Sequence, residues 1–165
     1  MEHQEAVPLN KVIALQWIVA LLEQHHIPYL ICGGLAANFY GSQRELNDID
    51  LFVAEEYFQQ IVRLTSEYIS RPPERYLEQS EGWDLDYFQL IYHNTKIEIG
   101  SHKDVRIFDA NTQRWTSLNI NFETKVRGQV AGVTADFMAQ ADLIAYKDCL
   151  ARTVDCQDVR AISGS

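Results

Sequence analysis

Cysteine is scarce in this chain of 165 residues: Cys32, Cys149 and Cys156 are its whole supply. Three scattered thiols cannot build a disulfide framework, and none has metal-ligand spacing, so each reads as a small core residue. Long apolar runs are missing too. The longest, Val12 to Leu22, is interrupted by Gln16 and falls far short of the ~20 residues that span a bilayer. No membrane segment is expected. Basic residues are outnumbered, 14 Lys and Arg against 23 Asp and Glu, for a net charge of −9. The deficit lies in residues 1–94, which hold 5 basic and 14 acidic side chains, whereas the remainder holds 9 of each. Strong non-specific nucleic-acid binding is therefore not expected, because neutralising phosphates takes surplus Lys and Arg. Lys96, Lys103, Arg106, Lys125 and Arg127 could form a local basic groove, but they read first as a solvated mixed-charge face. The opening MEHQEAVP is acidic where a signal peptide would be basic, and a cytoplasmic protein is expected. There is no repeat, low-complexity stretch or linker, and the five histidines lack ligand spacing.

What is present is an ordinary globular composition, 47% hydrophobic and 22% charged, enough for one domain over residues 1–165 with a real core. Periodicity predicts helices over Leu9–His25, Gly34–Tyr40 with Gly41 as its stop, Glu55–Ile69, Met138–Ala151 and Asp155–Ile162. Arg71-Pro72-Pro73 is expected to end the third of these. Strands are predicted at Tyr29–Cys32 and Ile49–Val53, and a hairpin at Tyr87–Tyr92 and Lys96–Ile99 around His93-Asn94-Thr95. Trp115–Phe122 and Gln129–Val133 are weaker strand candidates. Helix-rich first, then antiparallel strands, then helices: this order predicts an α+β domain with a mixed sheet and flanking helices.

The most informative stretch is YLICGGLAANFYGSQRELNDIDLFV, Tyr29 to Val53. An apolar strand runs into Gly33-Gly34, a compact helix follows, and a second strand begins with Asp48 and Asp50 at alternate positions. Side chains at i and i+2 of a strand share a face, roughly 6.6 Å apart along the chain. Two carboxylates at that separation repel by roughly 3 kcal/mol at an effective dielectric of about 20. A cation between them turns the repulsion into attraction, so the pair reads as a divalent-metal site. Gly33-Gly34 would let phosphates approach backbone N–H groups at a helix start. Arg44 lies between turn and carboxylates and could pair with a phosphate or with the acids.

These residues resemble the minimal nucleotidyltransferases of the DNA polymerase beta superfamily. Their pattern is a Gly-Gly or Gly-Ser turn opening a helix, a strand with Asp-x-Asp, and a third carboxylate on a neighbouring strand. Gly33, Gly34, Asp48 and Asp50 match it, and Glu98 in KIEIG is the best candidate for the third carboxylate. A second Asp-x-Asp, Asp84-Leu85-Asp86, has no glycine turn ahead of it and remains an alternative source. The tail, DLIAYK followed by RTVDCQDVRAI, is similar to the family's closing helix pair, through Lys147, Arg152, Asp155 and Asp158. Two departures stand out: Glu98 is a methylene longer than the family's usual Asp, and Leu46 replaces a small hydroxyl residue.

The resemblance implies a two-metal, Mg²⁺-dependent enzyme moving a nucleoside monophosphate from an NTP to a hydroxyl. Asp48, Asp50 and Glu98 would be both metal ligands and catalytic residues, Glu98 as the base. Gly33, Gly34, Arg44 and Lys147 would bind the nucleotide. Lys147 could instead snorkel to the surface, and Arg152 with Asp155 and Asp158 reads as a structural ion-pair set. The aromatics around Trp83 and Tyr87 could stack on a base or acceptor, with core packing as the default. The acceptor is left open between a small hydroxylated compound of aminoglycoside or lincosamide type, an RNA end and a side chain of a partner protein. The alternative is a catalytically inactive nucleotide-binding or regulatory protein of the same fold.

Overall fold

The computed structural model describes residues 7–163. Among them the chain runs α1 (Leu9–Gln24), β1 (Tyr29–Cys32), α2 (Gly33–Phe39), β2 (Ile49–Val53), α3 (Phe58–Leu64), β3 (Ile69–Glu78), β4 (Trp83–Tyr92), β5 (Thr95–Ser101), β6 (Arg106–Asp109), β7 (Arg114–Ser117), β8 (Val126–Val130), β9 (Val133–Phe137), α4 (Gln140–Leu150) and α5 (Thr153–Ser163). The strands form one mixed sheet in the order β7-β6-β4-β5-β2-β1-β9-β8, with β3 paired to β4. This is the α+β arrangement expected. No helix among the described residues is long and apolar enough to cross a membrane.

β1 and β2 are antiparallel, whereas β2 and β5 are parallel. Alternate residues of a strand point to opposite faces. Ile49, Leu51 and Val53 of β2, Ile97 and Ile99 of β5, and Phe88 and Leu90 of β4 make one buried apolar face. Helix α1 crosses β5 and β9, and Phe58 of α3 meets Phe88 edge to face. The opposite face turns Asp50, Glu98 and Gln89 into one transverse row, since Asp50 pairs with Glu98 and Glu98 with Gln89. Helices α2, α4 and α5 pack on one another beside that row.

Several boundaries differ from expectation, each for a local reason. The third predicted helix breaks into the short α3 between two 3-10 turns, Glu55–Tyr57 and Ser66–Tyr68. Ile69 opens a strand instead of closing a helix. That strand, β3, keeps Pro72 and Pro73 because its register against β4 shifts there, and prolines are tolerated at bulges and sheet edges. The β4–β5 hairpin turns at His93-Asn94, both with positive φ, as two-residue hairpins require. Ala131-Gly132, also with positive φ, splits Gln129–Val133 into the ends of β8 and β9. The Trp115–Phe122 candidate shortens to β7, and Phe122–Thr124 is a 3-10 turn.

Candidate active site

The tightest point of the site is where β1 turns into α2. Gly33 has φ +61°, and a Cβ there would collide with the Asp50 carboxylate. Glycine alone removes both obstacles, so the turn and Asp50 are pressed together, as Cys32 pairing with Asp50 across β1 and β2 requires. The Gly33 N–H donates to the Tyr146 hydroxyl at 2.8 Å. Burial holds that hydroxyl well above its usual pKa, so it keeps its own proton to donate. Gly34 serves a different neighbour: a Cβ there would lie 2.6 Å from a guanidinium nitrogen of Arg44.

Asp48, Asp50 and Glu98 share one face and open on a common cleft of about 420 Å³. Asp50 and Glu98 stand opposite each other across β2 and β5. Loss of water, then Glu98, then the Asp48 charge push the Asp50 carboxyl up from 3.8 to about 8, against a smaller opposing pull from Lys147. Gln89 Nε2 donates to Glu98 Oε1 at 3.2 Å, and Ser70 Oγ donates to Gln89 Oε1 at 3.0 Å. Glu98 is therefore held from the β4 side while its neighbour on the other side is Asp50. Among the described residues, no three Asp, Glu, His or Cys side chains close into a ready-made metal cage.

The second Asp-x-Asp is elsewhere. Asp84 accepts from Arg75 and Arg106, each at 2.8 Å, and is buried as the knot between β3, β4 and β6. Asp86 lies 3.6 Å from Arg75. Neither lines the cleft, which leaves Glu98 as the acid beside Asp50.

Arg44 and Lys147 are brought together behind the cleft, and neither lines it. Arg44 grips Asp158 with two parallel bonds of 2.7 and 2.9 Å. Lys147, buried on α4, donates to Asp158 at 2.9 Å and lies 3.5 Å from Asp155. Arg152 closes the set, with Nε 2.7 Å from Asp155. Arg152, Asp155 and Asp158 are thus ion-paired, as the sequence suggests. Three cations, Arg44, Lys147 and Arg152, meet three acids, the buried Asp155 and Asp158 and the exposed Glu81 that Arg152 also reaches at 3.3 Å, so the network is balanced in charge. The expectation that Arg44 reaches toward a phosphate or the carboxylates meets a stronger partner in Asp158.

Sequence reasoning did not single out Tyr146 or Gln89, and it named Arg71 as part of a helix stop and Lys96 as part of a basic face, although all four line the cleft. Gln89 and Lys96 carry a readable signal once Glu98 is chosen, for they flank it across and along the strands. Trp83 and Tyr87, noted as stacking candidates, line it too, and Trp83 meets Tyr146 edge to face at 5.7 Å.

Known structures repeat this architecture. TM1012 of Thermotoga maritima, whose description as a nucleotidyltransferase is itself provisional, superposes with a TM-score of 0.70 at 21% identity over 96% of both chains. The lincomycin-bound lincosamide antibiotic adenylyltransferase LnuA gives 0.62 at 13% identity over 96% of this chain and 98% of that one. ANT(2″)-Ia in complex with adenylyl-2″-tobramycin gives 0.62 at 14% over 93% and 88%. At these identities the likeness is one of fold. No curated protein matches by sequence. The family model for aminoglycoside-2″-adenylyltransferase matches residues 14–158. Because that match spans the glycine turn, both carboxylate strands and the closing helices, the chain belongs to the aminoglycoside-2″-adenylyltransferase family.

Proposed function

We propose that this protein transfers a nucleoside monophosphate from an NTP to a hydroxyl group, with ATP as the donor that the family's name implies. One observation carries the reading. Asp50 and Glu98 stand side by side in register on parallel strands, with Asp48 on the same face and the Gly33 turn against Asp50.

The donor set fits Mg²⁺. It consists of hard carboxylate oxygens; burial, and after it the neighbouring Glu98 and Asp48 charges, raise the Asp50 carboxyl to about 8, and a divalent cation would oppose that rise. Mg²⁺ is usually held by one or two carboxylates plus substrate phosphates, which suits an open row better than a closed cage. Asp48, Asp50 and Glu98 would hold two ions, which when bound would supply Lewis-acid activation of the hydroxyl and offset phosphate charge. Glu98 accepts the hydroxyl proton, directly or through water, and Gln89 keeps its carboxylate aimed. On the turn side, Gly33 permits close approach, while the Tyr146 hydroxyl and Arg152 are the donors facing the cleft. Lys147 and Arg44 act from behind, by holding α5 through Asp158, in place of direct phosphate contact. The same reading takes residues 1–165 as one domain working in the cytoplasm.

The test incubates the protein with each α-labelled NTP, Mg²⁺ and a host extract, and follows the label. Transfer to a small-molecule, RNA or protein fraction, slowed by Glu98→Gln with NTP binding intact, is the expected result. Metal-dependent NTP binding with no turnover in any fraction would leave a nucleotide-binding protein and end the transferase reading.

A further inference from the structure

The row that begins with Asp50 does not stop at Gln89. Gln89 pairs in turn with Arg71 of β3. Neighbouring strands lie about 4.8 Å apart, so three steps put the Arg71 backbone roughly 14 Å from that of Asp50. The glycine turn meets Asp50 from the other direction, because β1 flanks β2 on the side away from β5. A triphosphate seated at the turn is too short to reach Arg71. The Arg71 end lies past Glu98, the proposed base, and the molecule that carries the attacking hydroxyl has to approach from that side.

That end has a definite chemistry. Arg71 Nη1 donates to the Tyr87 hydroxyl at 3.0 Å, and Tyr76 meets Tyr87 edge to face with centroids 5.1 Å apart. The floor beside them is apolar: Phe52 and Leu85 close over Gly100, where a Cβ would lie 3.0 Å from each. Charge is distributed unequally. Apart from the three carboxylates of the proposed metal site, the acid lining the cleft is Glu81, and Arg152 already pairs with it at 3.3 Å. Glu74, opposite Tyr87, is exposed and does not line the cleft. Among the described residues, Arg71 and Lys96 line the cleft without an ion pair. An ammonium group entering here would meet like charge, whereas an oxyanion would meet an arginine that has no ion-pair partner.

We infer that the acceptor is a hydroxylated molecule with a flat or apolar body and an oxyanion, carboxylate or phosphate monoester, received by Arg71, and that it is not a polycation. The inference rests on the transferase reading and departs from the aminoglycosides in the family's name.

The experiment measures equilibrium binding to the full chain with Mg²⁺ and a non-hydrolysable ATP analogue. Four probes are compared: 4-nitrophenyl β-D-glucoside, its glucuronide, its 6-phosphate, and tobramycin. At least one anionic glycoside is expected to bind about two- to fivefold tighter than the neutral one, as for an exposed ion pair, with tobramycin weakest. Whichever anion is preferred names the oxyanion. Arg71→Glu should abolish the preference and leave affinity for the ATP analogue unchanged. Tobramycin binding tighter than both anionic glycosides overturns the inference. So does an anionic preference that survives Arg71→Glu, the absence of any anionic binding, or a loss of ATP-analogue affinity in that variant. If the unaltered protein fails to bind the ATP analogue with Mg²⁺, the transferase reading falls with it; if the analogue binds and the anionic probes do not, only the acceptor assignment falls.

Discussion

Asp50 is the residue on which opposing demands converge. It is half-buried, touches Glu98 and faces Asp48, and its carboxyl titrates at about 8 instead of 3.8. A folded-state pKa above the unfolded one means that the native protein binds the extra proton. Stability from this group is full below about 4 and falls as pH rises toward about 8. In metal-free buffer Asp50→Asn should therefore raise Tm, by more at pH 8 than at pH 5, with a gain of up to a few kcal/mol. Thermal melts across that range check the sign. The same variant should lose at least about 100-fold in nucleotide transfer; normal transfer would show that Asp50 is not the metal ligand. Gly33 makes the complementary case. Gly33→Ala forces a side chain into positive φ, costing about 1–2 kcal/mol, and displaces the Asp50 carboxylate. Transfer should fall further than the loss in Tm explains, measured at a temperature where the variant is fully folded.

At the scale of elements, the buried ion network decides how the helices meet. Asp158 of α5 takes Arg44 from the loop after α2 and Lys147 from α4. Burial raises its carboxyl, but Arg44 and then Lys147 outweigh that and hold it below the usual carboxylate range. Its contribution is present above the unfolded pKa and is lost as pH falls through the lowered folded value, the reverse of Asp50. Asp158→Asn leaves Arg44 without its acid and Lys147 with Asp155 alone, and should cost about 3–5 kcal/mol, with a flatter acid limb in denaturant melts against pH. An unchanged acid limb would show that Asp158 does not carry the linkage. This network was half legible. Lys147, Arg152, Asp155 and Asp158 recur at helical spacing, but nothing along the chain ties Arg44 to a carboxylate more than a hundred residues away. Strand β3 was illegible for a different reason. Two consecutive prolines break any local pattern, and only pairing with β4 across shifted registers holds the segment extended.

For the whole molecule, the open row predicts joint binding. Mg²⁺ and ATP together should raise Tm more than either does alone, by about 2.7 kcal/mol of added stability when ligand is 100-fold over its Kd. Asp50→Asn should erase most of that increment, and a shift from ATP without Mg²⁺ as large as with both would remove the metal from the site.

The glycine turn, the paired acids and β1 and β2 were readable because each is a local contract: spacing within a few residues dictates a strand, a face or a forbidden Cβ. Register was not. Nothing short of the folded sheet states that β5 runs parallel to β2 with Glu98 opposite Asp50, that Asp84 faces Arg75 and Arg106 instead, or that Arg71 ends the same row. Those placements come from hydrogen-bond ladders between segments distant in the chain. Which acid becomes reactive and which becomes a brace depends on what stands across the ladder from it.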